Sequence, residues 1–79
     1  AEHAVLVRFS LPTGMAWLEN LAGVKKAVQS PDGYYKLTTD NPEAVKKELL
    51  ASAVQQNLDI VSLQTESRSL ESIFKSLTN

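Results

Sequence analysis

The sequence predicts an α+β domain of the ferredoxin-like kind, and three observations carry that expectation. Residues 4–11 alternate apolar and polar with period two, the pattern of a strand with one buried face. Residues 41–57 instead repeat their apolar positions at helical spacing behind an Asn-Pro-Glu opening. Short strand-like segments fall on either side of both helical segments, so the order reads β-α-β-β-α-β. That order implies a four-stranded antiparallel sheet of spatial order 4-1-3-2 with two helices on one face and, here, an extra C-terminal helix.

In the first strand Val5, Val7, Phe9 and Leu11 are expected to share the inner face, with Ala4, Leu6, Arg8 and Ser10 on the outer one. Pro12, Thr13 and Gly14 break it, and Trp17, Leu18 and Leu21 then predict a helix that reaches a glycine cap at Gly23. Residues 24–29 read as an edge strand, its lysines discouraging pairing with another chain. The reading sets Val24 and Val28 on one face and Lys25, Ala27 and Gln29 on the other.

Ser30-Pro31-Asp32-Gly33 forms a turn because proline presets φ and glycine accepts a positive one. The third strand covers 34–39, with Tyr35 and Leu37 inward and Tyr34, Lys36 and Thr38 outward. Asn41 caps the second helix, Pro42 fits its first position, and Glu43 places charge at the positive end of the dipole. Val45, Leu49, Leu50 and Ala53 are expected to be its buried stripe, and Asn57 to end it in a left-handed conformation. A fourth strand follows over 60–65, with Val61 and Leu63 alternating with Ser62 and Gln64.

The expected organisation is one domain over residues 1–79: a frayed start at 1–3, a sandwich over 4–66 and a C-terminal amphipathic helix over 67–79. Leu70, Ile73, Phe74 and Leu77 lie at i, i+3, i+4 and i+7 and form one stripe, with Ser69 as cap. A lone helix this short is marginal in water, so the stripe must dock to be ordered. These four residues are the candidate interaction site.

The chain has 79 residues, 43% hydrophobic and 22% charged, a globular and not a disordered balance. Eight basic and nine acidic side chains leave a formal charge of -1, which provides no footprint for nucleic acid or an anionic membrane. There is no cysteine, hence no thiolate metal site or cysteine nucleophile, and no apolar run reaches membrane-span length.

No phosphate-binding loop G-x-x-x-x-G-K-[ST] occurs, the lone His3 has no metal partner in sequence, and the serines of the tail have no adjacent histidine. No catalytic, cofactor or metal residue is therefore expected in this chain. Two other functions share the topology. An ACT-like amino acid sensor would use backbone amides around Pro12-Thr13-Gly14, and an RRM-like RNA binder would need aromatics on the central strands, where Tyr34 and Tyr35 alone occur in Asp32-Gly33-Tyr34-Tyr35-Lys36-Leu37.

The segment Ile60-Val61-Ser62-Leu63-Gln64 followed by Ser69-Leu70-Glu71-Ser72-Ile73-Phe74-Lys75-Ser76-Leu77-Thr78 resembles the end of ATP-binding subunits of bacterial ABC transporters, whose tails carry Ser-Leu-Glu-x-x-Phe-x-x-Leu-Thr. Within that group it is most similar to the gliding-motility and ABC-2 export type. Ser72 stands where the family commonly has an acid that closes a reciprocal capping box. The resemblance implies a non-catalytic, cytoplasmic accessory or regulatory domain, peripheral to the inner membrane through transporter assembly. Its ATPase core, with ATP and Mg, would lie upstream. The implied partners are that nucleotide-binding core and its dimer partner, with no nucleic acid and no direct membrane insertion.

Overall fold

The computed structural model describes residues 3–67. Strand β1 (His3–Phe9) lies inside the sheet, between β3 (Tyr35–Thr39) and β4 (Ile60–Ser67), and β2 (Lys26–Gln29) flanks β3. All three pairings are antiparallel and the order is β2-β3-β1-β4, the expected 4-1-3-2 sheet read from its other edge. Helix α1 (Ala16–Glu19) joins β1 to β2, and α2 (Pro42–Gln55) joins β3 to β4.

Register determines which side chains share a face. Opposite partners Ala27 and Leu37, Leu37 and Val5, Tyr35 and Val7, and Val7 and Leu63 place these residues on the helix side. There Val5, Val7, Phe9, Tyr35 and Leu37 are buried with Leu18 and Leu21 and with Val45, Leu49 and Ala53 of α2. The period-two pattern of β1 meets the i, i+4, i+8 stripe of α2, and this contact makes the core.

Both ends of α2 are closed by its own sequence. The Asn41 side chain accepts from the Ala44 amide at 3.3 Å, and the Asn41 amide donates to the buried Thr39 hydroxyl at 3.0 Å. At the other end the amides of Leu58 and Asn57 donate to Ala53 and Val54 carbonyls at 2.9 and 3.2 Å, with Asn57 at φ +59°. This is the paired 6→1 and 5→2 closure of a left-handed helix stop. The 30–33 turn also forms as expected, with Gly33 at φ +90° and the Ser30 amide donating to the Tyr34 carbonyl at 2.7 Å.

Several expectations need correction. The first strand ends at Phe9, leaving Leu11 71% exposed in the following loop. His3, expected to fray, pairs with Thr39 and Ser67. Helix α1 stops at Glu19: from Leu21, whose amide donates to the Leu18 carbonyl at 3.3 Å, tighter turns carry the chain to Gly23 at φ +90°, and the Asn20 side chain donates to the Ala16 carbonyl at 2.8 Å.

Val24 belongs to that turn. The second strand starts at Lys26, and it is Ala27, not Val28, that faces the helices. Leu50 is 46% exposed on α2 and does not join the buried stripe. In β4, Phe9 pairs with Ile60 and Arg8 with Ser62, so Val61 is the extra residue of a bulge and is exposed; the simple alternation begins after it. The predicted tail helix and its stripe lie outside the described residues.

Candidate interaction surfaces

The face of the sheet turned away from the helices consists of three rows across the strands. Lys26, Thr38, Ala4 and Glu66 form one; Val28, Lys36, Leu6 and Gln64 form the next; Arg8 and Ser62 begin the third. In the first row the smallest side chain stands between longer ones. Ala4 is 4% exposed although it faces away from the core, and it floors a hollow of about 330 Å³ whose rim includes His3, Lys26, Val28, Lys36 and Glu66.

Lys36 and Glu66 approach to 3.5 Å across β1, both partly exposed. An ion pair so placed contributes about 0 to 1 kcal/mol and mainly holds the two side chains over the neighbouring Leu6 and Ala4. In the third row Tyr34 reaches over from the hairpin. Its hydroxyl donates to the Ser62 hydroxyl at 2.8 Å, and the Arg8 guanidinium lies 5.8 Å from its ring centre. Tyr34 thus ties the hairpin to the opposite edge of the sheet.

The loop at 12–14 is also engaged from within. The Tyr35 hydroxyl donates to the Thr13 carbonyl at 3.1 Å and accepts from the Thr13 amide at 3.2 Å. The Trp17 indole donates to the Thr13 hydroxyl at 2.9 Å. Phe9 stands between the two rings, 5.9 Å from Trp17 and 5.8 Å from Tyr35. The loop amide that a sensor would turn towards a carboxylate is used to hold the loop on the core. An RNA-binding reading meets a similar difficulty, because Tyr35 is 2% exposed and Tyr34 is the one aromatic that the described strands and hairpin give to the open face.

The helix side presents a different surface. Leu50 and Val54, one turn apart on α2, are 46% and 77% exposed while Leu49 and Ala53 beside them are buried. Beyond the ends of the sheet, Lys25 meets Asp40 at 2.7 Å, and that hydrogen bond followed by the lysine charge holds the Asp40 carboxyl below its ordinary pKa. Among the described residues there is no group of three His, Cys, Asp or Glu side chains placed for a metal. No helix among them is long and apolar enough to cross a membrane.

The candidate stripe Leu70, Ile73, Phe74 and Leu77 lies outside the described residues. From sequence the second face of the sheet, with Leu6, Ala27 and Tyr34, is one candidate dock for it; Leu6 and Tyr34 do lie on that face while Ala27 faces the helices, and the Ala4 hollow and the exposed α2 pair emerge only in the structure. Their signal was there: an alanine in the outward set of an interior strand, and two apolar residues that widen a helix stripe beyond its core-facing half.

A four-stranded antiparallel sheet with two helices, whose described polar groups serve mainly to hold the fold together, defines the class: a small α+β sandwich domain. More narrowly, the chain belongs to the family described as the C-terminal domain of DrrA1-3-like ATP-binding proteins, which matches residues 1–78. The C-terminal accessory domain of an ABC-type ATP-binding protein, implied by the tail, is thereby shown. No curated protein and no solved structure matches the chain.

Proposed function

We propose that this is a non-catalytic accessory and regulatory domain of an ABC transporter's ATP-binding subunit in bacteria, acting in the cytoplasm at the inner membrane. It works by contact with the nucleotide-binding core of its own subunit and with that core's dimer partner. The observation that carries the proposal is the Leu50 and Val54 pair. Two large apolar side chains stand exposed at i, i+4 on the longest helix of the described residues, beside a stripe that already satisfies the core, and a contact surface accounts for their exposure.

The occupant proposed for this surface is the nucleotide-binding core, because the family places the domain C-terminal in an ATP-binding protein. ATP and Mg belong to that core. The stripe of Leu70, Ile73, Phe74 and Leu77 packs on the domain's own surface and fixes its attitude to the core.

The test compares amide hydrogen exchange over residues 46–55 in the 79-residue chain and in the full-length subunit. The expected result is slower exchange in the subunit, lost in a Leu50→Asp, Val54→Asp double variant whose core still binds ATP. Equal exchange in the two settings would refute the proposal.

A further inference from the structure

We infer that the outer edge of strand β4 is a seam at which two copies of this chain join, each β4 pairing antiparallel with the other about a two-fold axis at Gln64. The inference deepens the dimer-partner contact proposed above and rests on that reading for its role, though not for its geometry.

The two outermost strands of the sheet, β2 and β4, are built differently. Strand β2 has four residues and carries Lys26, with Lys25 just before it. Shortness and lysine both keep an edge from pairing with another chain. Strand β4 has eight residues and neither lysine, arginine nor proline. Its bulge at Val61 blunts one end only: from Ser62 to Ser67 the strand pairs with β1 without a break, over about 20 Å. Glu66 is its one charge, and that carboxylate reaches inward across β1 to Lys36 at 3.5 Å and does not guard the edge.

An antiparallel strand turns the N–H and C=O groups of alternate residues to each side. Half of those in 62–67 therefore point away from β1, and no strand among the described residues meets them. The strand is also rich in β-branched side chains, Ile60, Val61 and Thr65, which favour extended pairing.

A second copy fits this edge because the edge is complementary to itself. Opposite residues of an antiparallel pair share a face. Leu63 and Thr65 lie on the helix side, and Ser62, Gln64 and Glu66 on the open side. An axis at Gln64 sets Leu63 opposite Thr65 and Ser62 opposite Glu66, a hydroxyl donor to a carboxylate. Gln64 then meets itself, and each amide offers both a donor and an acceptor. All of these pairs stay within residues 62–66, clear of the bulge and of the strand's end. An axis at Glu66 would oppose two like charges, and one at Leu63 would run into Val61. The result is one continuous sheet with the helices of both copies on the same side.

Residues 62–66 of two copies make a smaller contact than the about 800 Å² per partner of a stable complex. Isolated chains should therefore pair only when concentrated, whereas two domains carried on one ATPase dimer meet at an effective concentration in the millimolar range.

Amide exchange of the isotope-labelled 79-residue chain at about 20 µM and at about 1 mM tests this. In the concentrated sample alternate amides of 62–66 should exchange at least about tenfold more slowly, with a dimer seen by sedimentation equilibrium. Gln64→Lys, at an exposed position of the open face, should keep the chain monomeric while the Val45 and Leu49 signals stay unmoved. Mixing it with Gln64→Glu should restore the pair, and Val28→Lys on β2 should leave the pairing unchanged.

A chain that stays monomeric at about 1 mM, concentration-dependent shifts that gather on β2 or α2, or protection of β4 that does not vary with concentration and so comes from within the chain would each overturn the inference. Contact with the nucleotide-binding core is read on residues 46–55 with the chain dilute, so either contact can fail while the other stands.

Discussion

Replacing Tyr35 by Phe removes one oxygen and tests how the first loop is held. The ring is 2% exposed and keeps its edge contact with Phe9 in the variant, so the packing change is small. What disappears is the partner of two backbone groups, the amide and the carbonyl of Thr13.

Each such bond contributes about 0.5 to 1.5 kcal/mol net, giving about 1 to 3 kcal/mol for the pair. Thr13 is half-buried, so water replaces part of the loss and the lower half of that range is expected, about 1 to 2 kcal/mol. In a domain of this size each kcal/mol lowers the melting temperature by about 4 to 8 °C.

Urea denaturation followed by the Trp17 fluorescence measures it, with Tyr34→Phe as the comparison. That change removes a single bond to Ser62 on the partly exposed face and should cost less than about 1 kcal/mol. A Tyr35→Phe variant within about 0.3 kcal/mol of the parent, or less destabilised than Tyr34→Phe, would refute the reasoning.

Gly23→Ala is expected to destabilise by about 1 to 3 kcal/mol in the same assay, since φ is +90° and the new Cβ would lie 3.3 Å from Val45 Cγ2. Asn41→Ala removes the α2 cap and should cost about 0.5 to 2 kcal/mol, an effect that Asn41→Asp largely avoids. The Lys25 and Asp40 contact gives a pH prediction. Lys25 lowers the folded-state pKa of Asp40, so this contribution is fully present above the unfolded carboxyl value and is lost as pH falls through the lowered one. The stability difference between the parent and Asp40→Asn should therefore shrink below about pH 4 and be steady from there to neutrality.

The sheet order and the inward set Val5, Val7, Phe9, Tyr35, Leu37, Val45, Leu49 and Ala53 were legible in the sequence because two different periods met on one face. The phase of β2 was not. In an edge strand of four residues the choice between Ala27 and Val28 is made by the register with Leu37, which no local pattern contains. Leu50 was assigned to the core because apolar character on a helix flank does not separate burial on folding from a contact surface.

Val61 misled for another reason: a bulge inserts one residue without any composition signal of its own. For the surfaces, the tail motif identified the family, but the hollow needed three strands in register before Ala4 could be seen as its floor. The loop at 12–14 shows the reverse case. Its Pro and Gly read as a strand break, with a ligand turn as the alternative, while the groups that engage it, Tyr35 and Trp17, stand 22 and 4 residues away in the chain.

The central claim is that this domain works through contact with a protein and not by binding nucleotide. It is tested most directly by titrating the isotope-labelled 79-residue chain first with ATP and Mg and then with the separately purified nucleotide-binding core of its own subunit. The account predicts unchanged amide signals in the first titration and shifts centred on Leu50 and Val54 in the second. Shifts localised by micromolar ATP, or a core that moves no signal on α2, would contradict it.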